Sequence, residues 1–359
     1  MTVIEPPKTI IDNPDSTFGY FAWPSIARLC DGTLAVVCSG FRLRHICPFG
    51  KTVISYSRDD GKNWTKPAAV IDTPLDDRDS GICADGERVI VTSFNNSPQM
   101  QKKWLENCIS NGDKSRKLKL IEGYLACLSG DVCEKYLGST YKISRDGGYT
   151  FGKLKRSPVT SPHGPMKMND ENIMWVGKRF DKISDVDGIC AALMNENETF
   201  EIISDVAPCC DEFGEAASHE AHAVQLPSGK IIAAIRAERG GEHPLFTVFI
   251  SYSDDGGKTF STPKKILPDL AGSPPHLLCC SSGAVVLSYA CRHGNRGIRA
   301  RISYDGGETF GDEIIITENA PTSDLGYPAT VERLDGSLLT VWYEKEDSFA
   351  VIKQIIWRI

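Results

Sequence analysis

The sequence predicts an all-β protein: a six-bladed β-propeller built as one domain over residues 1–359, with a small helical insertion in the second blade near residues 97–131. Three observations carry this prediction. A turn motif occurs in four copies, a second series of polar turns precedes six apolar runs, and one stretch has helical periodicity.

The four copies are Ser57-Arg58-Asp59-Asp60-Gly61-Lys62-Asn63-Trp64, Ser144-Arg145-Asp146-Gly147-Gly148-Tyr149-Thr150-Phe151, Ser253-Asp254-Asp255-Gly256-Gly257-Lys258-Thr259-Phe260 and Ser303-Tyr304-Asp305-Gly306-Gly307-Glu308-Thr309-Phe310. Each reads Ser-x-Asp-x-Gly-x-x-aromatic. Glycine permits the left-handed backbone of a tight turn, and the Ser and Asp side chains can bond backbone N–H groups within it. The aromatic is expected to plug the gap between neighbouring sheets. Such turns report architecture and carry no chemistry of their own.

The second series is Asp31-Gly32, Asp85-Gly86, Asp170-Glu171, Ser228-Gly229, Ser282-Gly283 and Asp335-Gly336, each before a β-rich run such as Ile231-Ile232-Ala233-Ala234-Ile235. Each reads as the hairpin between the first two strands of a blade, recurring at roughly fifty-residue intervals. The four motif copies fall between third and fourth strands of blades one, two, four and five. Blade three has a degenerate version near Asn195-Glu196-Asn197-Glu198-Thr199-Phe200. Thr9-Ile10-Ile11 is expected to lend a strand to the last blade and cover its edge. The excess length between the second and third turns contains Trp104, Leu105, Cys108, Ile109, Leu118, Ile121, Leu125 and Leu128 at helical spacing. This insertion reads either as rim decoration or as a lid or partner surface.

Composition excludes several classes. The chain is 41% hydrophobic and 24% charged, as in a soluble globular protein, and its 32 glycines and 20 prolines suit many turns. A net charge of −7 argues against a nucleic-acid or anionic-membrane binder, while a local arginine cluster still permits an anionic small substrate. Thirteen cysteines, with no CxxC or Cys/His ligand spacing, read as buried thiols in a reducing compartment rather than as a disulfide frame or a zinc site. The start, Met1-Thr2-Val3-Ile4-Glu5-Pro6-Pro7, shows no signal peptide, so a cytoplasmic location is expected. A mature chain that has shed a leader would look the same. No metal or organic cofactor is expected, and oligomeric state is not legible.

In a propeller the innermost strands line a central channel whose mouth binds ligands. Aligning the units on their hairpin turns brings forward Trp23, Asp79, His163, Glu220, His276 and Tyr327. Arg42, His45, Arg236, Arg292 and Arg296 follow the turns, where second strands and their loops return to that mouth. Glu220 sits in an otherwise apolar strand start, where a carboxylate needs a partner. Arg236 likewise needs an anion, either substrate or Glu238. Asp79 lies in the charge run Asp76-Asp77-Arg78-Asp79, which reads as a solvated loop or as part of the pocket. The histidines read as turn caps or as pocket residues, and Tyr327 as packing or as chemistry.

At Glu220-Ala221-His222-Ala223-Val224-Gln225-Leu226-Pro227-Ser228-Gly229 with Arg236 following, at Leu287-Ser288-Tyr289 through Arg301-Ile302-Ser303, and at Gly326-Tyr327-Pro328, the chain resembles the sialidase superfamily of Asp-box (BNR-repeat) propellers. The resemblance covers nearly the whole length. It implies an exo-acting glycoside hydrolase on a terminal, acidic sugar. Tyr327 would attack the anomeric carbon with Glu220 as its partner, and Arg236 with Arg292 or Arg296 would bind the substrate carboxylate. A neutral phenol approaches a centre beside a carboxylate more readily than an anion does, which sets sialidases apart from two-carboxylate glycosidases.

The sequence departs from that pattern twice. Ala22 stands where the family's first arginine is expected, and the loop Phe41-Arg42-Leu43-Arg44-His45-Ile46-Cys47-Pro48-Phe49-Gly50-Lys51 has no carboxylate for the acid/base role. His45 or Asp79 is expected to move the proton instead, and Arg42 or Arg44 to replace the missing arm. Two other readings follow from these departures. One is a glycosidase or lyase on another sugar with a His/Asp proton shuttle. The other is a non-catalytic glycan-binding propeller. In each the partner is a glycan or small sugar, with no nucleic acid and no membrane.

Overall fold

The fold is all-β and propeller-like, and the computed structural model describes residues 1–180 and 188–359. Six strands contact one another in a closed cycle: Tyr20–Arg28, Asp76–Asp85, Met166–Lys167, Gly214–Gln225, Pro275–Cys279 and Leu325–Glu332, the last returning to the first. From each, the chain runs outward through antiparallel neighbours.

Among the described residues the hydrogen-bonded sheets number five, not the six separate blades expected. The reason is local. The runs Leu325–Glu332, Leu338–Glu346, Phe349–Arg358 and Tyr20–Arg28, Leu34–Arg42, Lys51–Ser57, Ala68–Ile71 are joined into one eight-stranded sheet by a single parallel pair, Tyr20 with Ala350. The eighth strand is Thr2–Ile11, which pairs antiparallel with Phe349–Arg358 and brings Ile11 opposite Ile352. The N-terminal contribution is therefore longer than the three residues expected.

The four turn motifs share one hydrogen-bond set. The serine hydroxyl accepts from the N–H of Gly61, Gly148, Gly257 and Gly307 at 2.9, 2.9, 2.9 and 2.8 Å. The aspartate accepts from the N–H of Asn63, Thr150, Thr259 and Thr309 at 2.8, 2.9, 3.0 and 3.0 Å. Glycine is required twice over at Gly61 and Gly307. Their φ values are 94° and 82°, and a Cβ there would strike Leu339 or Ile232 of the neighbouring unit at 2.4 Å. Trp64, Phe151, Phe260 and Phe310 each pack against a separate apolar cluster between units.

Between the strands Arg88–Asn96 and Ser139–Ser144 the chain forms helices Pro98–Ser110, Arg116–Cys127 and Asp131–Tyr136. Ser97 caps the first by accepting from Met100 N–H at 3.1 Å. Leu105, Leu118, Ile121 and Leu125 point inward and pack on Leu43 and Cys47, at the base of the loop that carries His45. The packing makes this segment a buttress for that loop, which neither reading of it named. Among the described residues no helix is long and apolar enough to cross a membrane.

Candidate active site

Five of the six residues that the turn alignment brings forward have left-handed backbones: Trp23 (φ 56°), Asp79 (51°), His163 (70°), Glu220 (37°) and Tyr327 (53°). Left-handed φ is uncommon for residues other than glycine. In four of these inner strands the pairing register shifts at the same place, between Ala22 and Ser25, Arg78 and Gly81, His219 and His222, and Gly326 and Ala329. Such bulges re-aim a side chain out of the sheet's alternation. His276 is the exception, paired regularly with Ser288.

Tyr327, Glu220 and Arg236 meet. The Tyr327 hydroxyl donates to Glu220 Oε1, and Arg236 Nη1 donates to Glu220 Oε2. Arg236 Nη2 donates to Glu238 Oε2 at 2.7 Å, so this guanidinium serves two carboxylates. Arg292 lies 5.7 Å from the Tyr327 ring and is fixed by its Nε–H to Leu325 O at 2.9 Å. Burial pushes the Glu220 carboxyl up, but Arg236 and the Tyr327 hydroxyl outweigh it and hold the group ionised, below its usual range. Burial, then the charges of Glu220 and Asp79, raise the Tyr327 phenol well above its usual value. At rest the pair is therefore a phenol donating to a carboxylate.

Asp79 is 5% exposed, with Oδ1 buried and lacking a hydrogen-bond partner. Burial, helped by nearby Glu220, raises its carboxyl to about 7, against the pull of Arg78 3.7 Å away. The charge run that includes it is not a solvated loop: Asp76, Asp77, Arg78 and Asp79 form the buried start of strand Asp76–Asp85. Arg78 stacks over Trp23 at 4.1 Å, the clearest residue that the sequence reading missed.

Arg42 also lies over Trp23, at 4.7 Å, but its role is not the one expected. It is fully buried and ion-paired with Asp76 at 2.5 Å, and it donates to Ser39, Asp77 O and His45 O. Its N–H groups brace the loop rather than reach into the mouth. His45 keeps 46% of its side chain exposed, edge-on to Trp23 at 5.0 Å. Its Nδ1 lies 3.1 Å from Asp324, which also accepts from the Tyr20 and Tyr343 hydroxyls. Despite the exposed edge, crowding of the ring lowers the His45 pKa, and the Asp324 hydrogen bond opposes that. Tyr20, Asp324 and Tyr343 belong to no motif, and only the proximity of Asp324 to Tyr327 in sequence hinted at them.

Three expected residues lie outside this group. Arg296 donates to Ala320 O and Pro321 O, tying down a loop. His163 and His276 pack on His222, with ring centroids 4.9, 5.4 and 4.4 Å apart. His222 Nδ1 accepts from Leu277 N–H at 3.0 Å, and His276 Nδ1 accepts from Thr330 N–H at 3.4 Å, so these imidazoles clip one inner strand to the next. Burial lowers all three pKa values, His222 to about 3. They are neutral, and their accepting Nδ1 atoms fix the Nε2–H tautomer in His222 and His276. Among the described residues no group of three His, Cys, Asp or Glu side chains is placed to hold a metal ion.

Beside Asp79 and Glu220 opens a pocket of about 210 Å³, lined also by Phe94, Phe180, Lys178 and His219.

No family model matches the sequence, and no curated protein matches it. Solved structures do. A protein of unknown function from Dyadobacter fermentans aligns at a TM-score of 0.75 and 23% identity, over 99% of this chain and 98% of that one. The NanB sialidase of Streptococcus pneumoniae aligns at 0.70 and 15%, over 99% and 71%. The α-L-arabinofuranosidase Arb93A of Fusarium graminearum aligns at 0.65 and 13%, over 100% and 98%. At these identities what is shared is the propeller-like fold, common to glycosidases of more than one specificity.

Proposed function

We propose that the protein is a sialidase-like exo-glycoside hydrolase acting on a terminal sugar with an acidic group. The observation that carries this reading is the Tyr327–Glu220–Arg236 chain of hydrogen bonds. The reading takes the fold as a six-bladed Asp-box propeller, counting the eight-stranded sheet as two blades bridged at Tyr20 and Ala350. Three cationic side chains, Arg78, Arg236 and Arg292, stand around the mouth, which favours an anionic substrate group there. The twelve described cysteines are unpaired, in keeping with a cytoplasmic protein.

In this mechanism Tyr327 Oη forms a bond to the anomeric carbon as the bond from that carbon to the leaving oxygen breaks. Glu220 takes the phenol proton, and Asp79 gives its own proton to the departing oxygen. Water then attacks the glycosyl–tyrosine, passing a proton to Asp79, and Glu220 returns its proton to the phenol. Asp79 suits the acid role because a carboxyl raised to about 7 is still substantially protonated near neutrality. Activation of a phenol needs an adjacent base, and Glu220 is bonded to it.

A second reading keeps the glycosidase activity but gives the proton shuttle to His45. The His45–Asp324 contact favours it, since a carboxylate on Nδ1 leaves Nε2 as a base toward the mouth. A panel of aryl glycosides, including an aryl sialoside, tests both readings. Hydrolysis by wild type that falls at least about 100-fold in Tyr327→Phe supports the first. Activity unaffected by Tyr327→Phe but lost in His45→Ala supports the second. No turnover across the panel rejects both.

A further inference from the structure

We propose that Phe246 is a positioning residue that holds Arg236 and Arg292 as a two-armed clamp, and that through them it sets the preference for an acidic over a neutral sugar. The inference rests on the glycosidase reading above and deepens it, by naming a residue outside every sequence motif that governs how the anionic group is gripped.

One ring is shared by two cations. Phe246 lies on the strand Leu245–Ser253, opposite Glu238 of the neighbouring strand. The Arg236 guanidinium, from the same sheet, lies 5.0 Å from the ring centroid. The Arg292 guanidinium, from the turn after strand Val285–Cys291 of the next sheet, lies 5.7 Å from it. Both fall within the roughly 6 Å at which a ring face holds a cation. Like charges repel, and the negative face of the ring attracts both. The charges of both arginines act on the Tyr327 phenol and on the Glu220 carboxyl, so the two arms serve one site.

Neither arm is used up. A guanidinium carries five N–H groups. Arg236 gives one from each Nη to Glu220 and Glu238, and Arg292 gives its Nε–H to Leu325 O. The N–H groups that remain, those on the Arg292 Nη atoms above all, can donate to an anion. One hydrogen bond at Nε leaves the Arg292 head group to be aimed by the rings it lies on, Phe246 and Tyr327. Ala22 stands where a further arginine is expected, so the grip depends the more on how these two are aimed.

Phe246 is itself pinned. Its N–H donates to Asp269 O at 2.6 Å, its carbonyl accepts from Gly272 N–H at 3.1 Å, and His293 packs edge-on against its ring with centroids 5.8 Å apart. The ring is only partly buried, so an aliphatic side chain of similar size can stand in for it.

The test uses an aryl glycoside of the acidic sugar that wild type hydrolyses fastest, and the methyl ester of the same substrate. The variants are Phe246→Leu, Phe246→Tyr and, should thermal unfolding show that the first does not fold, Phe246→Met. Removing the ring is expected to raise KM for the acid about tenfold, with kcat within about twofold, and to lower the acid-to-ester ratio of kcat/KM to match. Phe246→Tyr, which keeps the ring, is expected to show neither change. An unchanged ratio in the aliphatic variant, or an equal loss in Phe246→Tyr, overturns the proposal. Should wild type hydrolyse no acidic sugar, the reading above has failed, and the clamp is tested by calorimetry with N-acetylneuraminate and with glucuronate. Binding that weakens about tenfold in the aliphatic variant and holds in Phe246→Tyr supports the clamp. No binding to wild type, or equal binding to all, overturns it.

Discussion

Asp324 accepts a hydrogen bond from His45 Nδ1 at 3.1 Å, joining residues 279 apart in sequence across the place where the two ends of the chain meet. Asp324 is ionised. Although burial pushes it up, His45, Tyr20 and Tyr343 hold its carboxyl down at about 2. An ionised carboxylate can only accept, so the contact keeps the proton on His45 Nδ1.

Asp324→Asn removes the charge that raises the His45 pKa, so the His45 titration midpoint moves lower, as read by NMR of the imidazole protons. A midpoint that stays put or rises would show that Asp324 does not control this ring. The same substitution is expected to cost about 1.5–3 kcal/mol in urea unfolding, as for hydrogen bonds to a charged group.

Arg236→Met leaves Glu220 and Glu238 without their shared guanidinium. Removing one partner of a buried ion pair costs about 3–5 kcal/mol, and the low end applies because Glu238 is 37% exposed. Adding Glu220→Gln to Arg236→Met should recover part of that loss, since the stranded charge is gone. A double-mutant cycle in urea checks it, and strict additivity would contradict the coupling.

Much of the architecture was legible. The four Ser-x-Asp turns bond as their residues dictate, and turn alignment alone picked out Trp23, Asp79, Glu220 and Tyr327. What it could not show is how polar groups are used up inside. Arg42 looked like a substrate ligand but is spent on Asp76 and on loop carbonyls. Arg78 looked like part of a solvated run, because a charged tetrad gives no hint that a bulge will turn it inward over Trp23. His163 and His276 shared the right repeat positions but sit among buried rings. Sheet count failed for a comparable reason: one residue pair, Tyr20 with Ala350, merges two runs and leaves no trace in a repeat.

The histidine cluster makes stability fall in acid. Folded-state pKa values below the ordinary value near 6.5 mean that the unfolded chain binds protons first, so stability is complete above about 6.5 and is lost as pH falls toward about 3. Asp77 and Asp79, raised to about 7, act oppositely: their contribution is complete below about 3.9 and is lost as pH rises through about 7. His222→Asn keeps an acceptor for Leu277 N–H without titrating. Thermal unfolding between pH 4 and 7 should show a shallower acid limb in this variant, and an unchanged limb would assign acid sensitivity elsewhere.

Ile121→Ala in the helical segment should destabilise the protein by about 2–5 kcal/mol, as for a fully buried aliphatic side chain. Asp113→Ala, which breaks a partly exposed ion pair with Arg44, should cost far less. Equal losses in thermal unfolding would mean that charge, not packing, holds the helices on the loop.

In the proposed mechanism Tyr327 forms a covalent bond with the sugar. Trapping with an activated fluoroglycoside, followed by intact-mass measurement and peptide mapping, addresses it directly. One glycosyl adduct is expected, on Tyr327, and absent from Tyr327→Phe. An adduct on Glu220 or Asp79, or steady turnover in Tyr327→Phe, would contradict it.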